Sequence, residues 1–288
     1  MKYITIFFIS LCFLVGCIPK ETGDSNHIIY SGARSSSYGI RPFPSENNWV
    51  NALNTLKNYF PGSKASAIWI VGELMRGDSC RLFFPSDGNQ YAYVHFEDYD
   101  KHESFLSAFD ENDVEVFLQV EPGKADVVQL INLVLSRYKH HPSVVGFGID
   151  VEWYGHSEQR GEGIPVNDST AALWESTVKS FNQDYRLFLK HWDRDWMPSH
   201  YRGDIVFVSD SQIFEKMSDM LEEFDTYWAD YFYPNMVIFQ YGYRSDKKWW
   251  SQLEDPVKTL GDSVASRVKQ NCGVFWVDFT LREVVPVD

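Results

Sequence analysis

Asp150 and Glu152 stand two residues apart in the stretch VVGFGIDVEWYG, residues 144–155. The small and branched residues before them suit a buried strand. A strand turns alternate side chains to the same face, so both carboxylates are expected to point the same way. Two like charges on one face repel, and burial disfavours the ionised form. One carboxyl of such a pair has a raised pKa and keeps a proton ready to give away. Glu152 lies farther along the chain and has the longer reach, so it is the expected general acid. Asp150 below it is the expected electrostatic partner. An acid of this kind can deliver a proton to a leaving group.

Such a pair must be held by a scaffold. Short apolar runs alternate with helical patterns along the chain. The pattern predicts strands over 27–34, 66–73, 114–121, 144–152, 204–210, 225–231, 236–242 and 272–279. Helical patterns include SENNWVNALNTLKNYF, KADVVQLINLVLSRYKH, STAALWESTVKSFNQDYRLFLKHW and DPVKTLGDSVASRVKQ, with Ser45 and Ser169 as expected N-caps. Eight such β units alternating with helices predict an α/β fold of the (β/α)8 TIM barrel type. A doubly wound open sheet is the alternative. It would carry a glycine-rich phosphate turn after strand 1, and YSGARSSSYG is not that fingerprint. Long segments follow the first, second and fourth predicted strands, on the side where barrel enzymes place their active-site loops.

Strand alternation then puts a polar residue at the C-terminal end of six strands. These are Glu73, Glu121, Asp150 with Glu152, Asp210, Gln240 and Asp278. With them, Trp276 is the expected stacking platform for a sugar ring, and Tyr154, Tyr231 and Tyr243 are expected to line subsites. No HExxH spacing, GxSxG elbow or P-loop is present. His140 and His141 precede Pro142 and read as solvated helix caps, so neither a metal nor a cofactor is expected.

The GIDVEW stretch resembles the fourth strand of the chitinase-like glycoside hydrolases and related barrels with an Asp-x-Glu pair. GVFWVDF, residues 273–279, resembles their last strand, which carries a Trp under the sugar. The resemblance covers about twenty residues and the strand order. It implies a TIM barrel acting on a glycan, with Asp150 orienting an acetamido group of an N-acetylhexosamine that serves as internal nucleophile. Aligned directly on the chitinase pattern, Phe147 replaces its first Asp and Tyr154 stands at its catalytic Glu. Shifted by one strand period, Asp150 and Glu152 take the terminal Asp-x-Glu. Without acetamido assistance, Asp210, Asp278 or Glu73 must supply the second carboxylate.

The N-terminus MKYITIFFISLCFLVGC has one positive residue and an apolar run too short to span a bilayer. LVGC matches the lipobox of bacterial and archaeal lipoproteins. The expected organisation is a signal peptide over 1–16, a lipidated tether over 17–26 starting at Cys17, and one catalytic-type barrel over 27–288. The protein is then extracytoplasmic, anchored to a membrane by lipid. A net charge of −14 argues against nucleic acid as a partner. Cys80 and Cys272 are expected to remain separate thiols, because the predicted barrel puts them toward opposite ends. The sequence thus points to a surface-anchored glycoside hydrolase with a carbohydrate substrate. The rivals are a non-catalytic carbohydrate-binding barrel and a structural surface protein whose mouth acids hold cations.

Overall fold

Eight runs of β-branched and aromatic residues form parallel strands that close on themselves in the computed structural model. The structure describes residues 27–76, 78–155 and 163–287. The segments over 1–16 and 17–26, with Cys17, lie outside the described residues. The chain runs β1 (Ile28–Ser35), α1 (Glu46–Asn58), β2 (Lys64–Met75), β3 (Ser79–Leu82), β4 (Val94–Phe96), α2 (Glu103–Glu111) and β5 (Glu115–Val120). It continues with α3 (Val127–Tyr138), β6 (Val144–Asp150), α4 (Asp168–Phe181), β7 (Arg186–Lys190), β8 (Val206–Ser209), α5 (Met217–Glu222) and α6 (Asp230–Phe232). Last come β9 (Val237–Tyr241), α7 (Lys247–Trp250), α8 (Pro256–Ala265) and β10 (Cys272–Val277). The order β1-β10-β9-β8-β7-β6-β5-β2, with β1 also pairing β2, closes a (β/α)8 barrel. β3 and β4 extend β2 outside the ring, β3 antiparallel to it.

Two expected elements change type. RLFLK lies in the tail of a long helical pattern, but the helix stops at Asn182, whose backbone is extended, and Arg186–Lys190 is the fifth barrel strand. Residues 225–231, expected as a strand, are helical. A π-helical turn over Glu223–Ala229 runs into α6. Phe224, Trp228 and Phe232 recur every fourth residue and are buried, which is a helical period rather than a strand's alternation. Ser45 caps α1 as expected, while Asn167, not Ser169, accepts the Thr170 N–H at the start of α4. Cys80 and Cys272 are both free and buried.

The barrel interior has its own core. Tyr30, Ile68, Phe117, Phe188, Val206, Val208, Ile238 and Phe275 pack together as alternate residues of the strands. A larger apolar layer lies between the barrel wall and the helices. β6 contributes glycines to the interior instead of side chains, which explains the pattern VVGFGID. A Cβ on Gly148 would sit 1.9–2.0 Å from the Phe188 ring, and one on Gly146 2.8 Å from the Phe117 ring. The two phenylalanines thus meet across the space the glycines leave, with ring centroids 5.9 Å apart. They plug the barrel below the C-terminal end of β6, where Asp150 stands.

Gly148→Ala is therefore expected to overpack the barrel centre and to lower stability by about 1–3 kcal/mol. Urea denaturation of the two proteins checks this. An unchanged midpoint would mean that Phe188 moves aside freely.

Candidate active site

Asp150 is the last residue of β6, and its Cα partner across the sheet is Lys190, the last residue of β7. The Lys190 ammonium lies 2.9 Å from Asp150 Oδ2 and also touches Asp210 Oδ2, from just beyond β8. All three are buried. Gln119, from the neighbouring strand β5, donates to the same Asp150 oxygen at 3.3 Å. Burial pulls the Lys190 pKa down, but Asp150 and Asp210 outweigh it and hold the ammonium protonated well above its ordinary range. Burial pushes the Asp150 carboxyl up, and Lys190 pulls it part of the way back.

Glu152 reaches the same place by a different route from the one expected. The strand stops at Asp150, and Val151–Trp153 forms a 3₁₀ turn. Glu152 is thus not one strand period beyond Asp150, yet both line one pocket. Burial raises the Glu152 pKa most, and the charge of Asp150 raises it further, well above the ordinary carboxylate range. Glu152 thus stands on a turn instead of a strand face.

A second layer of acids is anchored by the segment after β1. Ser36 donates from its backbone N–H and its hydroxyl to Asp278 Oδ2, at 2.6 and 2.8 Å. Ser37 does the same to the two oxygens of Glu73, at 2.9 and 2.7 Å. The Tyr38 hydroxyl donates to Glu121 Oε1 at 2.6 Å, and the Leu74 N–H holds the other oxygen at 3.0 Å. Gly39 lets this segment close, since a Cβ there would lie 1.9 Å from Asp278 Oδ2. Arg34, buried at the end of β1, sits 3.8 Å from Glu121 and 3.7 Å from Asp278. Its guanidinium also packs on the rings of Tyr38 and Phe279.

These groups surround a cavity of about 330 Å³ at the barrel mouth. Arg34, Tyr38, Leu74, Glu121, Asp150, Glu152, Trp153, Lys190, Asp210, Gln212, Tyr243 and Phe279 line it. Around it, Arg34 Nε, Gln119 Oε1, Asp150 Oδ1, Asp210 Oδ1, Gln240 Nε2 and Asp278 Oδ1 are buried with no hydrogen-bond partner among the described residues. Buried polar atoms are normally satisfied. Six such atoms around one mouth suit a ligand dense in hydroxyl groups.

Of the residues expected from the sequence, Asp150, Glu152, Glu121, Asp210 and Tyr243 line the cavity. Gln240 lies beside it, accepting from the Tyr243 hydroxyl at 3.3 Å. Glu73 and Asp278 are anchors for the β1 segment rather than lining groups. Three aromatic assignments fail. Trp276 faces the helices, 1% exposed, edge-on to Trp250 and Tyr241, with its N–H donated to Thr280. The inward residue of that strand is Phe275, and Asp278 turns in because β10 ends at Val277 and a 3₁₀ turn follows. Tyr154 stands edge-on to Trp174 of α4, and Tyr231 lies under Arg194 and Arg202 on the helical segment. Neither lines the cavity.

Sequence reasoning misses Arg34, Tyr38, Trp153, Lys190, Gln212 and Phe279. Lys190 is hidden by the helical pattern that runs through its strand. Arg34 and Tyr38 lie at and beyond the end of strand 1, where the long following segment is itself a signal of function.

Lys190→Met leaves Asp150 and Asp210 buried without their cation. The expected loss is about 3–5 kcal/mol at neutral pH, shrinking as the pH falls and Asp150, whose carboxyl burial pushes up, takes up a proton. Denaturant titrations at several pH values check the slope. A pH-independent loss would point to packing instead of charge.

No family model and no curated protein sequence matches the chain. Solved structures do. The barrel is similar to a proposed α-L-fucosidase from Bacteroides thetaiotaomicron, with 12% identity and a TM-score of 0.52, covering 96% of this chain and 91% of that one. It is also similar to a β-glucuronidase from an uncultured Clostridium species, at 11% identity and a TM-score of 0.46. That match covers 86% of this chain and 43% of the other, so this chain spans less than half of that protein. The first of these likenesses shows the fold, one that glycoside hydrolases use.

Proposed function

We propose that the barrel hydrolyses a glycosidic bond, with Glu152 as the general acid. One observation carries this reading: a carboxyl at the mouth of a polar cavity, kept protonated by burial and by the charge of Asp150. Such a group can protonate a leaving glycosidic oxygen at neutral pH, which an ordinary carboxylate does poorly. Asp210 supplies the second carboxylate. Glu73 and Asp278 are held by the serines after β1, and Asp150 receives both Lys190 and Gln119. Asp210 lines the cavity, is paired with Lys190 through one oxygen, and has its other oxygen buried without a partner among the described residues. Tyr38, Trp153, Tyr243 and Phe279 give the cavity wall aromatic surface against which the C–H groups of a sugar can pack. This assignment needs no acetamido nucleophile, so the substrate class widens from N-acetylhexosamine glycans to glycans in general.

Glu152→Gln and Asp210→Asn are each expected to lower kcat on a glycan and aryl-glycoside panel by at least about 100-fold. For Glu152→Gln the loss is smallest on aryl glycosides whose leaving groups need no proton. In the wild type, kcat/KM falls as the pH rises through the elevated Glu152 pKa, so its alkaline limb lies above the ordinary carboxylate range. Glu152→Gln abolishes that limb. The stability effect has the opposite sign. Because the folded pKa exceeds the unfolded one, ionisation of Glu152 destabilises the fold as pH rises from the unfolded value to the folded one. The Gln variant therefore melts higher at neutral pH and equally at pH values below both. A wild type that binds glycans but cleaves none would replace this reading with that of a carbohydrate-binding barrel.

We also propose that Cys17 carries the lipid and holds the protein on the outer side of a membrane. LVGC and the apolar run before it support this. Expressed in a bacterial host, the protein is expected in the membrane fraction with a diacylated N-terminal peptide by mass spectrometry. Cys17→Ser should release it. Membrane association that survives Cys17→Ser would point to another anchor.

A further inference from the structure

His141 reads from the sequence as a solvated cap, but it is 3% exposed. It follows α3 and precedes β6, at the opposite end of that strand from Asp150. Its Nδ1 lies 2.6 Å from Asp110 Oδ2, near the end of α2. The other oxygen of Asp110 accepts the Ser143 N–H at 2.9 Å, so the carboxylate is fixed in place. An ionised carboxylate can only accept, so in the neutral imidazole the proton would sit on Nδ1 and Nε2 would be the nitrogen open to a cation. That Nε2 is buried and has no hydrogen-bond partner among the described residues. It faces Glu103 Oε1 at 3.4 Å. The Nε2 of His140 lies 3.1 Å from the same oxygen. The three ligand atoms all lie within 4.8 Å of one another.

His141 Nε2 and Glu103 Oε1 face each other outside hydrogen-bond geometry, and a cation between them would satisfy both. Four ligands around zinc at roughly 2.0–2.1 Å stand about 3.3 Å apart, close to two of the separations here. Two imidazole nitrogens and one carboxylate are zinc-type ligands, and a carboxylate gripping the far nitrogen of a ligating histidine is the usual second support of such a site. We infer that Glu103, His140 and His141 bind one divalent transition-metal ion, zinc by ligand chemistry, with Asp110 orienting His141. Glu103 is half-buried and His140 is exposed, so the fourth position opens to water. The site departs from the sequence expectation of no metal, because its ligands come from two elements and carry no local spacing. It ties α2 to the turn between α3 and β6, away from the cavity at the barrel mouth, and its role is to clamp those elements.

The test is metal binding by the full chain, stripped with a chelator and titrated with zinc against a chromophoric competitor. One zinc per chain is expected. Cobalt should give the visible absorption of a low-coordinate N/O site. His140→Ala and Glu103→Gln, both on the surface and compatible with folding, are each expected to weaken binding at least tenfold. Asp110→Asn should weaken it about 10–100-fold, while Glu152→Gln leaves it unchanged. Zinc should raise the melting temperature of the wild type and not that of His140→Ala. Zinc bound no more tightly by the wild type than by His140→Ala would overturn the inference. It would leave His141 paired with Glu103 through a hydrogen bond in place of a metal.

Discussion

One buried ammonium organises the mouth of this barrel. Lys190 sits between Asp150 and Asp210, and none of the three has appreciable access to solvent. Taking such charges out of water costs several kcal/mol per ion, and only close geometry returns it. The geometry depends on three consecutive strands ending at matched heights. Asp150 and Lys190 are register partners, Lys190 pairs with Val208, and Asp210 stands two residues farther on the same face. A slip of one residue in any of these strands would turn a charged side chain toward the apolar layer under the helices. The charged cluster therefore fixes the register of the barrel as much as it furnishes a site.

The electrostatics of the cavity follow from that arrangement. One ammonium serves two carboxylates, so negative charge is left over beside Glu152, and Glu152 responds by keeping its proton. Around this centre the other strand-end acids have a different use. Asp278, Glu73 and Glu121 receive hydrogen bonds from Ser36, Ser37 and Tyr38 in turn, so three successive residues after β1 each close on a different acid. Chemically similar groups at similar heights thus divide their work: Asp278 and Glu73 hold the mouth in shape, Asp150, Glu152 and Asp210 face the cavity, and Glu121 does both. Below them Phe117 and Phe188 fill the barrel, made possible by the two glycines of β6. The site is a polar cup on an apolar plug.

Much of this is legible in the amino-acid pattern. The alternation of strand and helix segments points to the barrel, and the polar switch at strand ends points to the acids. The count of eight strands comes out right only because two misreadings compensate. RLFLK merges into the preceding helical pattern, and DTYWADY looks like a strand because aromatic residues favour strands. The spacing of Phe224, Trp228 and Phe232 carries the correct helical reading. Alternation also fails where strands are irregular. A bulge in β2 between Ile70 and Gly72 reverses the faces of the residues beyond it, which is how Glu73 turns in although Trp69 faces outward. The end of β10 does the same for Asp278.

Local pattern is enough to determine the fold class and to bring Asp150, Glu152 and Asp210 forward, because strand periodicity is a short-range property and charges at apolar strand ends stand out. It cannot determine their partners. Lys190 meets Asp150 across 40 residues of chain, Tyr38 meets Glu121 across 83, and Ser36 meets Asp278 across 242. Which acids are neutralised, which is left protonated, and which histidine is buried against Glu103 are decided by distances of a few ångströms. Those distances exist only once the barrel has closed, since Coulomb and desolvation energies depend on separation in space and burial, not on separation along the chain.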